Sequence, residues 1–359
     1  MKKFFKITIS IMLIAIFAVS CNKDDSKKSG DVKSKEAEIS EVMAKVEKMS
    51  EEEREEAFKK EDGSKEEIPV QVAGAFCLSN MCLAEKLGYY EEEGLNVDLV
   101  RINGYLQDAL AAGQIKVGGT HIAHILKPTT NGLDISFMGG CNTGCQSFYV
   151  LKDSKYNSLA ELESKKIGVS GGIGGPGHNI VLTMLAADKL NQDDYKFADF
   201  EAPQLLQALE AGNIEGALIP EQIGEKWLNE GKIKRIRSIT FDDDFKNDVC
   251  CIWGVNATYL KENPVTCYKI NKAIKKANAY MEEHLDEALQ IALDESWITG
   301  DKEYLYNLNK NYQYNITTEQ TEKTLIKAVN SYKDLGIIEK NIDTEEFMQT
   351  YWKPYNKID

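Results

Sequence analysis

The sequence predicts an α/β fold of two parallel-sheet lobes facing each other across a ligand cleft. The first ground is length: 359 residues exceed one ordinary core and suffice for two units of about 100 to 150 residues each. The second is an order of strand, loop, helix, strand, helix, strand that occurs from residue 68 and again from residue 166. The third is a local match between the halves: Ala109 to Ile115 (ALAAGQI) parallels Ala208 to Ile214 (ALEAGNI), each closing a helix at glycine and feeding a short strand. Right-handed crossovers make such units parallel.

Residues 1–20 precede both lobes. Lys2, Lys3 and Lys6 form a basic start, residues 7–19 an apolar run too short to span a bilayer comfortably, and Ala18, Val19 and Ser20 lead into Cys21. This resembles a bacterial lipoprotein signal, which implies cleavage before Cys21, lipid on its sulfur and a body tethered at the extracytoplasmic face of the cell membrane. Loss of the three lysines moves the formal charge from −14 to about −17. A surface this acidic, with no basic stripe, excludes nucleic acid as a partner. Residues 21–67 read as a charged linker. Its first part, 23–30, is expected to be a disordered spacer. In 36–60, Ile39, Val42, Met43, Val46 and Met49 at helical spacing predict a lone amphipathic helix or short coiled coil, in a stalk that lifts the body off the membrane.

The first lobe opens with a strand at 70–76, a turn at 77–80 and a helix at 81–87 ended by Gly88. A strand at 96–101, a helix at 105–112 and a strand at 115–118 follow. The second lobe repeats this with a strand at 167–170, a helix at 179–190, a strand at 195–200 and a helix at 203–211 closed by Gly212. Ligands of open parallel sheets bind beyond the carboxyl ends of the strands. That rule nominates four loops: Phe76, Cys77, Ser79 and Asn80; Thr120 and His121; Ser170 through Asn179; and Glu221 after Pro220. A hinged closure of the lobes on a small molecule is the expected motion.

Within the third loop, Gly171, Gly172, Gly174 and Gly175 precede Pro176, His178 and Asn179. Gly175 is the expected N-cap and Pro176 the first helical residue, where its missing N–H costs nothing. The turn reads either as a small anion or polar-ligand site, with free backbone N–H groups at a helix start, or as a plain connection. No P-loop or dinucleotide spacing is present, and no serine-histidine-acid order or paired-carboxylate motif supports a hydrolase.

Eight cysteines are many for an exported chain, and lipid on Cys21 leaves an odd number, so complete pairing is excluded. Cys77 lies in the first loop, Cys141 and Cys145 flank Asn142-Thr143-Gly144 after a strand at 135–138, and Cys250 and Cys251 sit before the expected return crossing. Three readings stay open: thiolates and imidazoles holding a soft metal or iron–sulfur cargo through Cys77, Cys141, Cys145 and Cys250; a Cys141–Cys145 disulfide; or buried thiols acting as small hydrophobes. Cys82 and Cys267 read as core. His121 is expected to offer one neutral hydrogen bond from a pocket wall, and His178 to sit over the glycine loop. Trp253 and Phe76 suit either stacking on an aromatic ligand or hinge packing, and Glu221 either an amine site or a helix cap.

Four phrases carry a family resemblance: Leu83 to Asp98, with Gly88-Tyr89-Tyr90 and Gly94-Leu95; Ala109 to Ile115; Leu159 to Val169; and Tyr259 to Pro264 before a long helix. Together they resemble the substrate-binding lipoproteins of ABC importers, in the group of nitrate, bicarbonate, taurine and sulfonate binders and thiamine-pyrimidine-precursor proteins. The resemblance covers roughly residues 68–300. It implies a bilobal periplasmic-binding-protein fold, with 68–152 plus 253–359 as the first lobe, 153–252 as the second, and a C-terminal helical extension on the first. It implies crossings near 149–152 and 253–256. It also implies a monomer without required cofactor or catalysis, delivering a small molecule to a membrane permease and its ATPase. Cysteines and glycines stand where sulfonate and nitrate binders often present Ser, Thr, Arg or Lys. The fungal pyrimidine synthase of thiamine formation resembles the same group, which leaves an enzyme as the second reading and an interaction lipoprotein with a vestigial cleft as the third.

Overall fold

The computed structural model describes residues 25–356, with side chains from residue 35 onward, so the signal-like segment and Cys21 lie outside the described residues. Helix α1 (Asp25–Lys48) and helix α2 (Glu51–Phe58) come first. The expected spacer at 23–30 is therefore helical from Asp25, and the expected stalk is not a stalk. The apolar stripe has a partner: Ile39, Met43 and Val46 are buried on the C-terminal helices of the first lobe. The Glu61 carboxylate accepts from the N–H groups of Val265 (2.9 Å) and Thr266 (2.7 Å), capping a long helix where its dipole favours a negative charge.

The first lobe runs through β1 (Ile68–Val72), α3 (Asn80–Lys86), α4 (Tyr89–Glu92), β2 (Val97–Arg101), α5 (Leu106–Ala111), β3 (Val117–His121), α6 (Ile122–Thr130) and β4 (Ile135–Thr143). The second comprises β5 (Gln146–Leu151), β6 (Lys166–Val169), α7 (Pro176–Ala187), β7 (Lys196–Asp199), α8 (Leu205–Glu210), β8 (Gly216–Pro220), α9 (Glu221–Asn229) and β9 (Ile233–Ser238). The chain then returns through β10 (Val249–Asn256) and ends in α10 (Ala257–Glu262), α11 (Pro264–Glu283), α12 (Leu285–Asp294), α13 (Lys302–Asn309), α14 (Thr318–Asp334) and α15 (Thr344–Tyr351).

Each lobe is built on a five-stranded sheet, ordered β2-β1-β3-β10-β4 in one and β7-β6-β8-β5-β9 in the other. The duplicated order is real, but the sheets are mixed rather than wholly parallel. β2, β1 and β3 pair in parallel, as do β7, β6 and β8. The incoming strand of each lobe, β10 or β5, runs antiparallel to both neighbours. A strand that enters from the other lobe arrives without a crossover helix, so nothing forces it parallel. The crossings also fall earlier than expected. β4 ends at Thr143 and β5 starts at Gln146 in the second sheet, while the return occupies 239–248.

The lobes are closed on each other. One apolar cluster contains Ile122 and Phe137 from the first lobe, Phe148, Ile167 and Ile180 from the second, and Leu325 and Val329 of α14. Backbones also come close where β10 meets β4: a Cβ on Gly254 would sit 2.4 Å from the Ser136 carbonyl oxygen. Gly254→Ala should therefore push the two strands apart and cost about 1–3 kcal/mol, read as a lowered denaturation midpoint. An unchanged midpoint would mean that the strands separate freely there.

Candidate ligand and thiol site at the lobe crossings

The site grows from the two crossings. Gly144 and Cys145 both have positive φ, 81° and 99°. Glycine is required at 144, where a Cβ would meet Thr240 Oγ1 and the Tyr312 ring at 2.7 Å. Cys145 has no such licence. It is held by bonds on both sides, its N–H donating to Thr240 Oγ1 (3.0 Å) and its carbonyl accepting from the Glu221 N–H (3.0 Å).

Its thiol meets the return strand. Cys145 Sγ lies 2.8 Å from Cys250 Sγ, Cys250 Sγ lies 3.6 Å from Cys251 Sγ, and Cys251 Sγ lies 4.0 Å from Cys77 Sγ. Neighbouring residues of a regular strand point to opposite faces, so Cys250 and Cys251 should not share a pocket. Register shifts between Val249 and Cys251 and again between Cys251 and Ile252 break the alternation and turn both thiols one way. All seven described cysteines are free. The Cys141–Cys145 pairing is not formed; Cys145 faces Cys250 instead, and buried Cys141 takes no part in the chain of sulfur contacts. Hydrogen bonds from the Cys250 and Cys251 thiols lower the Cys145 thiol, while burial pushes Cys250 up and the bond to Cys251 pushes Cys77 up. Cys82 and Cys267 are buried core, as expected.

His121 stands beside the sulfurs. One of its ring nitrogens and the sulfurs of Cys145 and Cys250 lie within 4.8 Å of one another. Its Nδ1 accepts the Ala123 N–H at 2.9 Å, capping α6, and its Nε2 is shielded from solvent without a partner. Burial lowers its pKa to about 4, so the ring is neutral. Thr120 and His124 form a side pair at 3.4 Å.

On the other wall, Glu221 opens α9 fully buried. It does not cap that helix; its carboxylate accepts from Ser147 Oγ, from Ser238 Oγ at 3.3 Å and from Tyr312 OH at 2.8 Å. Burial raises its pKa against those bonds. Tyr312 belongs to the first lobe, so this contact bridges the lobes, as does Tyr304 OH on the Gln222 carbonyl at 2.7 Å. Tyr314 stands edge-on to Phe76, ring centres 5.7 Å apart. Sequence reasoning missed Tyr312 and Tyr314: they lie in a polar stretch far from any nominated loop.

The glycine loop does face the β3–α6 turn, since Asn179 Nδ2 bonds the Ala123 carbonyl (3.3 Å) across the lobes as well as the Gly174 carbonyl (3.2 Å) of its own loop. Gly175 is the N-cap and Pro176 the first helical residue, as expected. Three of its donors are engaged: Gly172 N–H by Asp199 Oδ1 (2.9 Å), Gly174 N–H by His178 Nδ1 (3.3 Å) and Gly175 N–H by the Gly172 carbonyl (3.1 Å). Asp199 thus meets the loop at Gly172, three residues before the N-cap. Ser170 and Gly171 flank this turn half-buried and exposed. Ser79 and Asn80 turn inward, Ser79 to the Ala75 carbonyl (3.4 Å) and Asn80 to Asn278 (2.8 Å), and Asn142 bonds the Thr143 carbonyl (2.8 Å). Trp253 is buried in the first lobe's core rather than presented to a ligand.

A cavity of about 670 Å³ opens beside this centre, between α7, the return crossing and α14. His121 and Cys250 lie on its wall, with Ile180, Phe245, Val249 and Tyr332 supplying apolar surface and Asp244, Asp248, Lys327 and Asp334 charge. Of the residues nominated from sequence, only His121 and Cys250 reach it.

Two mixed-sheet lobes joined by two crossings, with strand-end loops meeting at the seam, can be set beside known proteins. A family model described as "NMT1/THI5 like" matches residues 77–288. The chain belongs to that family. Its fold is the bilobal periplasmic-binding-protein fold. It is similar to the zinc-bound ligand-binding component of an ABC-type import system from Staphylococcus aureus, with a TM-score of 0.66 at 16% identity over 81% of this chain and 98% of that one. The aliphatic sulphonate binding protein SsuA of Escherichia coli gives a TM-score of 0.63 at 15% identity over 80% and 92%. A 4-amino-5-hydroxymethyl-2-methylpyrimidine phosphate synthase from Aspergillus parasiticus is 22% identical over 294 residues, 76% of this chain and 82% of that protein. Among the described residues no helix is long and apolar enough to cross a membrane.

Proposed function

We propose that the chain is an extracytoplasmic solute-binding lipoprotein, anchored through lipid on Cys21, that closes on a small molecule and hands it to an ABC permease and its ATPase. The observation that carries this is the meeting of strand-end loops from both lobes at a closed seam beside a roomy, mostly apolar cavity. Solved structures of the same fold are named as import or sulfonate-binding components. The seam joins lobes linked by only two crossings, the arrangement a hinge needs. No turnover is expected, and the synthase named among the relatives supplies the competing reading.

The test uses the full chain in detergent, screened by thermal shift and small-angle scattering against an alkanesulfonate, zinc and the pyrimidine phosphate, with native mass spectrometry of whatever co-purifies. A bound ligand at about 100 times its Kd should add about 2.7 kcal/mol of stability and favour the compact form. Release of an altered product from any bound compound would overturn the reading in favour of the enzyme. Neither stabilisation nor a co-purified molecule would favour a vestigial cleft.

A further inference from the structure

We propose that Cys145 and Cys250 form a redox clasp on the hinge: oxidised to a disulfide they tie the two crossings together and hold the lobes shut, and reduced they leave the hinge free. Position sets the pair. Cys145 lies in the short outgoing crossing between β4 and β5, and Cys250 is the second residue of β10, directly after the return crossing. Their sulfurs stand 2.8 Å apart, and all seven described cysteines are free. A disulfide bond is about 2.05 Å long, so these two sulfurs need to close by less than about 1 Å. The other pairs are worse placed. Cys77 and Cys251, at 4.0 Å, would have to close by about 2 Å. Cys250 and Cys251 are neighbours in sequence, whose Cα atoms stand about 3.8 Å apart where a disulfide usually spans about 4.4–6.8 Å.

The step is thiol–disulfide exchange, with an external disulfide as the oxidant. Cys145 is half-buried and Cys250 buried, so the oxidant meets Cys145 first. Hydrogen bonds from Cys250 and Cys251 also lower the Cys145 thiol, favouring the thiolate that attacks. The Cys145 sulfur bonds to one sulfur of the oxidant, whose S–S bond breaks and whose other sulfur leaves as a thiolate. Cys250 then gives up its proton and attacks the Cys145 sulfur, expelling the second thiolate. Two electrons pass from the cysteine pair to the oxidant, and two protons end on its thiols.

What the bond changes follows from what lies between its ends. The two cysteines are 105 residues apart, and the loop they close contains the whole second lobe, β5 through β9. Opening of a two-lobe fold is absorbed by backbone rotation at a few crossing residues. Cys145 stands in the outgoing crossing with a φ of 99°, its N–H bonded to Thr240 of the return crossing. A covalent tie from Cys145 to β10 removes that rotation. The clasp acts on the hinge itself, so it depends neither on which molecule the cleft carries nor on a permease.

The experiment treats the full chain, reduced and then freed of reductant, with bis(2-hydroxyethyl) disulfide and follows it by intact mass, thiol alkylation and a non-reducing digest. The expected product has lost two hydrogens and two alkylatable thiols and yields one linked peptide pair, Cys145 with Cys250. Backbone amides of the two crossings should exchange at least about tenfold more slowly than in the reduced chain, and the thermal midpoint should rise by roughly 5–10 °C. Dithiothreitol should reverse both changes. Cys250→Ser should stop at the mixed disulfide on Cys145, Cys145→Ser should leave Cys250 unreacted, and Cys267→Ser should behave as the unmutated chain. An unmutated chain that resists oxidation, stops at the mixed disulfide or pairs other cysteines overturns the proposal, as does a Cys145–Cys250 bond that leaves exchange at the crossings unchanged. These readouts use no cargo molecule and need no variant to fold, so they hold or fail separately from the import reading.

Discussion

Trp253→Ala should lower the unfolding free energy by about 3–5 kcal/mol, the range for emptying a buried aromatic site. The reason lies in the strands beside it. Trp253 on β10 is paired with Gly119 of β3 and Gly139 of β4, and a Cβ on Gly139 would lie 2.7 Å from the indole nitrogen. Glycine on both neighbours makes the bed for one large ring, and no small residue can refill it. Chemical denaturation of the variant and of Trp253→Phe, which keeps most of the ring, measures the effect. A loss under about 1 kcal/mol would mean that the indole is not a packing element. In that case stacking on a ligand would again be the better account of Trp253.

How far the sequence carried is best judged at particular residues. The order of parallel units was legible because each carries its own local signals: Gly88, Gly113 and Gly212 take positive φ just past helix ends, and Pro176 starts α7. The antiparallel strands β5 and β10 were not legible as such, since pairing direction depends on where the chain comes from, not on period or propensity. The stripe of Ile39, Met43 and Val46 gave the helix but not its partner, which lies more than 200 residues away on α11. At the site, the end-of-strand rule found Cys77, His121 and Glu221. It did not find Tyr312, because that residue enters from a loop after α13 and belongs to no strand end. Gly172, three residues before the N-cap, donates to Asp199, close in space but 27 residues on.

Tyr312→Phe should loosen the closed form. Its hydroxyl donates to Glu221 across the seam at 2.8 Å, and a hydrogen bond to a charged group contributes about 1.5–3 kcal/mol. At 1.4 kcal/mol per factor of ten, the closed-to-open ratio should fall about ten- to hundredfold, seen as a larger radius in small-angle scattering and a weaker apparent ligand affinity. Tyr304→Phe, which loses bonds to the main-chain carbonyls of Gln222 (2.7 Å) and Glu221 (3.4 Å) but none to a carboxylate, should do much less. Equal effects of the two variants would remove Glu221 from the account. The carboxylate itself has a pH signature. Burial raises its folded-state pKa above the ordinary value, so the stability it contributes is fully present below the unfolded pKa and is lost as pH rises through the folded one. Relative to Glu221→Gln, in which all other carboxyls titrate as before, the unmutated chain should therefore gain stability as the pH is lowered toward the ordinary carboxylate range. A difference that stays flat, or that runs the other way, would mean that the hydroxyls of Ser147, Ser238 and Tyr312 outweigh burial.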